Sequence, residues 1–121
     1  MSKTILVVDD SSSLRQVVNI TLTGAGYTVI EASDGRDALS KCNGQKIHLV
    51  VSDVNMPNMD GITFVQELKK IAAYKFTPVI MLTTESGEDK KSAGQAAGAK
   101  AWVTKPFQPA QMLAAVSKLI V

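Results

Sequence analysis

Five short apolar or β-branched runs punctuate the chain: Thr4–Val8, Tyr27–Glu31, Ile47–Ser52, Pro78–Thr83 and Lys100–Thr104. The first, third and fourth are almost continuously apolar. That pattern predicts strands buried on both faces, as in a parallel sheet. Between the runs, apolar residues recur at intervals of three and four. In 12–25 these are Leu14, Val17, Val18, Leu22 and Ala25, with serines for the cap and Gly26 at the stop. Asp34 caps a short helix bearing Ala38, Leu39 and Cys42, and Asp60 precedes Ile62, Val65, Leu68 and Ile71. Pro109 suits the first turn of a last helix carrying Met112, Leu113, Val116 and Ile120. Segment 88–97 offers only an alanine stripe interrupted by Gly94, so it is expected to be the least firmly held helix. Five βα units with short, right-handed connections give one sheet with helices on both faces, an α/β doubly wound domain.

A chain of 121 residues, 45% hydrophobic and 20% charged, predicts a single soluble domain with a core of its own. The lone cysteine, Cys42, excludes an intrachain disulfide and a cysteine-based zinc cage, and suits a reducing compartment. No apolar run approaches a membrane span, and the first run stops at Asp9-Asp10, unlike a signal peptide; a cytoplasmic protein is expected. Net charge is +2, but its distribution is uneven: residues 1–66 carry seven acids against five bases, residues 67–121 four against eight. No basic stripe is interleaved with aromatics, which argues against nucleic-acid binding.

In open parallel sheets, functional groups gather beyond the carboxyl ends of the strands. Here those ends carry Asp9 and Asp10 (first strand), Asp53 (third), Thr83-Thr84 (fourth) and Lys105 (fifth). With the first and third strands adjacent, three carboxylates share a small space. Two like charges ~4 Å apart repel by roughly 4 kcal/mol at an effective dielectric near 20. An all-oxygen donor set points to a hard cation such as Mg2+. Any one aspartate could instead be an ordinary turn or cap residue, and Asp10 could cap the first helix. Taken together, the groups suit phosphoryl chemistry. The metal and Lys105 neutralise phosphoryl oxygens, Thr83 donates a hydrogen bond, and Asp53 on the central strand is the nucleophile.

These residues carry a resemblance over essentially the whole chain. Val7-Val8-Asp9-Asp10, the run from Ser52 to Gly61, Met81-Leu82-Thr83 and Lys105-Pro106-Phe107 together resemble a response-regulator receiver domain. The resemblance implies a flavodoxin-like fold of strand order 2-1-3-4-5 and a single receiver domain over 1–121 without an output domain. It implies that Asp53 is the phosphoacceptor, and that Mg2+ is held by Asp10, Asp53 and the backbone carbonyl of Asn55, with Asp9 acting mostly through water. Lys105 and Thr83 would contact the phosphoryl group. Asn55 and Glu85 would tune its lifetime, and Thr84, often a smaller residue in the family, would slow access of water and phosphodonors. Trp102 stands where most relatives place a switching Tyr or Phe; ordinary packing is the competing reading. The output would come from a face made by segment 88–97, the fifth strand and the last helix.

The likeness is greatest to stand-alone chemotaxis receivers. It implies a chemotaxis histidine kinase as donor, a flagellar motor switch protein or other protein as target, a phosphatase as a further partner, and a monomer that is not itself an enzyme. A relay intermediate or phosphate sink is the alternative within the family. An aspartyl-nucleophile phosphatase would need Asp-x-Asp at the first strand, and a flavodoxin-like carrier would not place Asp9-Asp10 against a phosphate. His48, near the start of the third strand and far from the tips, is not expected to be a phosphohistidine; Cys42 reads as core, Met56 and Met59 as packing, and Lys69-Lys70 and Lys90-Lys91 as solvated helix faces.

Overall fold

The computed structural model describes residues 3–54, 56, 58–83, 98–104 and 108–120. Strands β1 (Thr4–Val8), β2 (Thr28–Ala32), β3 (Leu49–Asp53), β4 (Val79–Thr83) and β5 (Ala101–Thr104) form one parallel sheet, ordered β2-β1-β3-β4-β5. Helices α1 (Ser12–Gly24), α2 (Gly35–Lys41), α3 (Gly61–Lys69) and α4 (Pro109–Leu119) connect or follow the strands, with a 3-10 turn at Ala72–Tyr74. This is the fold and strand order expected from the sequence. The helix predicted over 88–97 lies outside the described residues.

The strand alternation sorts the core into two layers. Leu6, Val8, Val50, Val79 and Met81 face α2 and α3, where Ala38, Phe64, Val65 and Leu68 meet them. Ile5, Val7, Leu49, Val51, Ile80, Leu82 and Val103 face α1 and α4, meeting Val18, Leu22, Met112 and Val116. Four of the five β1 residues and all of β3 are buried, which explains why their sequences do not alternate.

Local chemistry sets the ends of the elements. Ser11, not Asp10, caps α1: its Oγ accepts from Leu14 N at 3.3 Å. Gly26, at φ 97°, closes that helix, with Gly26 N donating to Thr23 O and Tyr27 N to Leu22 O. Asp34 and Asp60 cap α2 and α3 by accepting from Asp37 N and Thr63 N at 2.8 and 2.7 Å. Val17 is 48% exposed, so the buried stripe of α1 is narrower than its periodicity predicts. Strands β2 and β3 begin one and two residues later than their apolar runs. Tyr27 is spent closing α1, and His48 N donates to Thr4 O before the β3 ladder starts.

Candidate phosphoacceptor site

Val8 pairs with Ser52 across β1 and β3, so Asp9 stands level with Asp53 one step further along. The alternation that puts Val7 and Val51 on one side of the sheet puts Asp9 and Asp53 there too. Asp9 is 2% exposed and Asp53 6%, while Asp10 is exposed. One carboxylate oxygen from each of the three lies within 4.8 Å of the others. Asp34 and Asp60 have been accounted for as helix caps. Asp9, Asp10 and Asp53 are the acids held together by position rather than by capping.

The surrounding loops hold this cluster through backbone groups. Asp9 Oδ1 accepts from Ser11 N, and Asp53 Oδ1 from Val54 N, each at 2.8 Å. Arg15 on α1 donates from Nη1 to the Asp9 carbonyl at 2.6 Å. Its Nε donates to Glu31 at 3.2 Å, and Asn19 holds the other Glu31 oxygen at 2.8 Å. The β1–α1 loop is thus tied to β2 by a half-buried ion pair. On the other flank, Gly61 N donates to Val54 O at 2.8 Å. A Cβ on Gly61 would stand 2.0 Å from the Asp53 carbonyl oxygen, so only glycine lets α3 start this close to the tip of β3. Asn58 adopts φ 67°, a left-handed conformation that Asn tolerates, and donates to Asp34 at 2.8 Å. That bond and the Asp37 N–H, the larger influence, hold the Asp34 carboxyl below the usual carboxylate range.

Of the residues predicted for the site, the structure brings Asp9, Asp10 and Asp53 together. Thr83 ends β4, one position beyond Leu82, which pairs with Asp53, and Thr104 beside it precedes Lys105. Lys105, Asn55, Thr84 and Glu85 lie outside the described residues. Trp102 pairs with Met81 and packs half-buried against the α2–α3 core layer. Its Nε1 is buried without a hydrogen-bond partner among the described residues, a costly arrangement for an indole. Arg15, Asn58 and Gly61 also shape the site; Asn58 and Gly61 belong to the run from Ser52 to Gly61 that carries the resemblance, while Arg15 belongs to none of its motifs. The Arg15–Glu31 contact exists only once β1 and β2 are side by side, and the Asn58–Asp34 contact only once the loop before α3 meets α2.

Three carboxylates, two of them buried, converge, and among the described residues no nitrogen or sulfur ligand joins the cluster. Such a set fits a small hard cation that keeps part of its water.

Residues 5–117 match the response regulator receiver domain family, and the chain belongs to that family. It is 36% identical over 112 residues to protein PilG of Pseudomonas aeruginosa, covering 93% of this chain and 83% of PilG. It is 39% identical over 120 residues to PhoP, the alkaline phosphatase synthesis transcriptional regulatory protein of Bacillus subtilis, covering 99% of this chain. The chain spans about half the length of PhoP, at 49%. Among solved structures it superposes on the Vibrio cholerae chemotaxis protein CheY4 with a TM-score of 0.96 and 45% identity, covering 99% of this chain and 100% of that one. The fold is therefore CheY-like, and receiver domains are signalling proteins.

Proposed function

We propose that this chain is a phosphorylation-controlled binding module whose phosphoacceptor is Asp53. The observation that carries this reading is the convergence of Asp9, Asp10 and Asp53 at the tips of β1 and β3 in a receiver-family chain. An Asp53 carboxylate oxygen attacks the phosphorus of a histidine kinase's phosphoimidazole. The P–N bond breaks, the imidazole, already protonated on its other ring nitrogen, leaves neutral with the bonding electron pair, and an acyl phosphate remains on Asp53. Asp10, Asp53 and the Asn55 carbonyl would hold Mg2+, with Asp9 acting through water. The ion supplies charge neutralisation for the transferring phosphoryl group. Lys105 and Thr83 contact the phosphoryl oxygens, and Asn55, Thr84 and Glu85 set its lifetime.

The added charge, about −1.5 to −2, favours a second conformation. Trp102 is the residue through which β5 answers, because its Nε1, buried without a partner among the described residues, gains by moving to where a partner exists. The target is a protein; likeness to the chemotaxis protein CheY4 favours chemotaxis, and the target this reading names is a flagellar motor switch protein. No helix among the described residues is long and apolar enough to cross a membrane.

The test is intact-protein mass after acetyl phosphate, with and without Mg2+, on wild type and Asp53→Asn. One phosphoryl group that requires both Mg2+ and Asp53 is expected. An adduct of equal yield on Asp53→Asn overturns the assignment. So does a wild type that takes up no phosphoryl group and shows no Trp102 fluorescence change with beryllium fluoride.

A further inference from the structure

The opposite end of the sheet carries a feature that phosphoryl chemistry does not use. A cleft of about 320 Å³ opens at the amino ends of β4 and β5, lined by Lys69, Lys75, Phe76, Gly98 and Lys100. Phe76 is 89% exposed, the most exposed large apolar side chain among the described residues. Lys75 Nζ lies 5.6 Å from its ring centroid, so the ring is flanked by positive charge. Lys69 departs from the solvated helix face expected of it. It is half-buried, runs its stem against Gly98 and donates from Nζ to the Thr77 carbonyl. Burial, and then the charge of Lys100, hold its ammonium below the usual lysine range. Among the described residues, ion pairs form at Arg15–Glu31, Lys41–Asp37 and Lys70–Glu67, and none engages Lys69, Lys75 or Lys100.

Three unneutralised cations around an apolar hollow are complementary to a ligand that is anionic with an apolar anchor. We propose that this cleft docks an acidic segment of a protein partner, which seats one apolar side chain against Phe76 with its carboxylates among Lys69, Lys75 and Lys100. A nucleic acid fits less well, because its phosphates call for cations in a track rather than around a hollow. The cleft sits at the amino end of β4 and Asp53 at the carboxyl end of β3. Five-residue strands at about 3.3 Å per residue put the two sites on the order of 15 Å apart. Docking here would tether the protein whether or not Asp53 is phosphorylated.

Fluorescence anisotropy tests this with a labelled peptide of aspartates and glutamates around one tryptophan. Its lysine-for-acid counterpart, an oligothymidylate and phosphatidylserine vesicles are run beside it. The acidic peptide alone is expected to bind, more weakly as salt rises. The double variant Lys75→Glu/Lys100→Glu is expected to lose about tenfold or more in affinity, and Phe76→Ser about threefold. Circular dichroism and uptake of phosphoryl from acetyl phosphate, both unchanged, show that these surface variants are folded. Beryllium fluoride with Mg2+ is expected to leave the affinity within about twofold, an arm that rests on Asp53 being the phosphoacceptor. Equal binding by the double variant overturns the docking site, as does a peptide that does not bind. Binding of the oligothymidylate or the vesicles in place of the peptide assigns the cleft to another class of ligand and overturns it too.

Discussion

The two ends of this parallel sheet each concentrate one sign of charge, and they are built differently. At the carboxyl end, Asp9 and Asp53 are buried with Asp10 beside them, and glycine, asparagine and arginine contacts fix the backbone beneath. At the amino end, Lys69, Lys75 and Lys100 ring an open cleft whose apolar floor faces water. Burying like charges is costly, so such a cluster is held by a dense set of polar contacts. The acid end is narrow and partly buried, and its three carboxylates suit a small hard cation. The basic end is shallow and solvated, which suits a larger and softer partner. Because every strand runs the same way, all connections into strands gather at one end and all connections out of them at the other. The separation of charge follows from topology as much as from composition.

The sharpest way to break this contrast is to disturb the scaffold at the acid end. Gly61→Ala would set a methyl group 2.0 Å from the Asp53 carbonyl oxygen, and the atom it meets is backbone. Either β3 or the start of α3 must shift. The expected loss is about 3 kcal/mol in urea unfolding, with weaker Mg2+ binding in a fluorescence titration because Asp53 moves with its carbonyl. Gly24→Ala is the control. Nothing lies within 4 Å of its Cβ, and the position is helical. Stability there should hold or rise by about 0.5–1 kcal/mol. If Gly61→Ala matches the control, the tip of β3 is softer than the contrast requires.

A second measurement uses the cation itself. Mg2+ at 100 times its dissociation constant should raise stability by ~2.7 kcal/mol, and chelation should remove the gain. Asp10→Asn should invert the order of the proteins. Without Mg2+ the variant is the more stable, by up to about 1 kcal/mol, since one of three crowded charges is gone. With Mg2+ it is the less stable, since a ligand is gone. Thermal melting in Mg2+ and in chelator reads both halves. A variant that is less stable than wild type in both solutions would mean that Asp10 supports the loop rather than the ion.

The sequence made the acid end legible to a fair depth, for a physical reason. Near-continuous apolar runs such as Ile5–Val8 and Leu49–Val51 admit few readings besides buried parallel strands, and the acids within two residues of the end of each run mark a strand tip. Asp9, Asp10 and Asp53 followed directly. What holds them did not. Arg15 reaches Glu31 only because β1 and β2 pair, and Asn58 reaches Asp34 only because α2 and the loop before α3 converge. Such contacts join residues 16 and 24 positions apart and leave no local signature. The basic end was legible only as composition. Lysines on a helix look solvated until Lys69 is seen to cover Gly98, whose φ of 119° turns the chain back beneath it.

His48 gives the smallest effect and tests whether the amino end is positive as a whole. No phosphoryl role is expected of it from the sequence, and in the structure its Nδ1 accepts from Thr4 N at 2.9 Å, binding the starts of β1 and β3. Only the neutral imidazole can accept there. Burial first, then the charges of Lys3 and Lys46, lower its pKa from the ordinary 6.5. The unfolded chain therefore takes up the proton before the folded one does. The stability tied to neutral His48 is complete above the ordinary histidine range and falls as pH drops from there through the lowered folded value. The loss should come to about 1 kcal/mol, one hydrogen bond's worth. Urea unfolding at about pH 7.5 and about pH 5.5 should show it in wild type and not in His48→Gln, which keeps an acceptor without titrating in that window. A nuclear magnetic resonance titration reads the same group directly. Raising the salt should move its pKa upward by screening Lys3 and Lys46. A pKa above 6.5 at low salt would mean that the field at this end of the sheet is not the one its lysines predict.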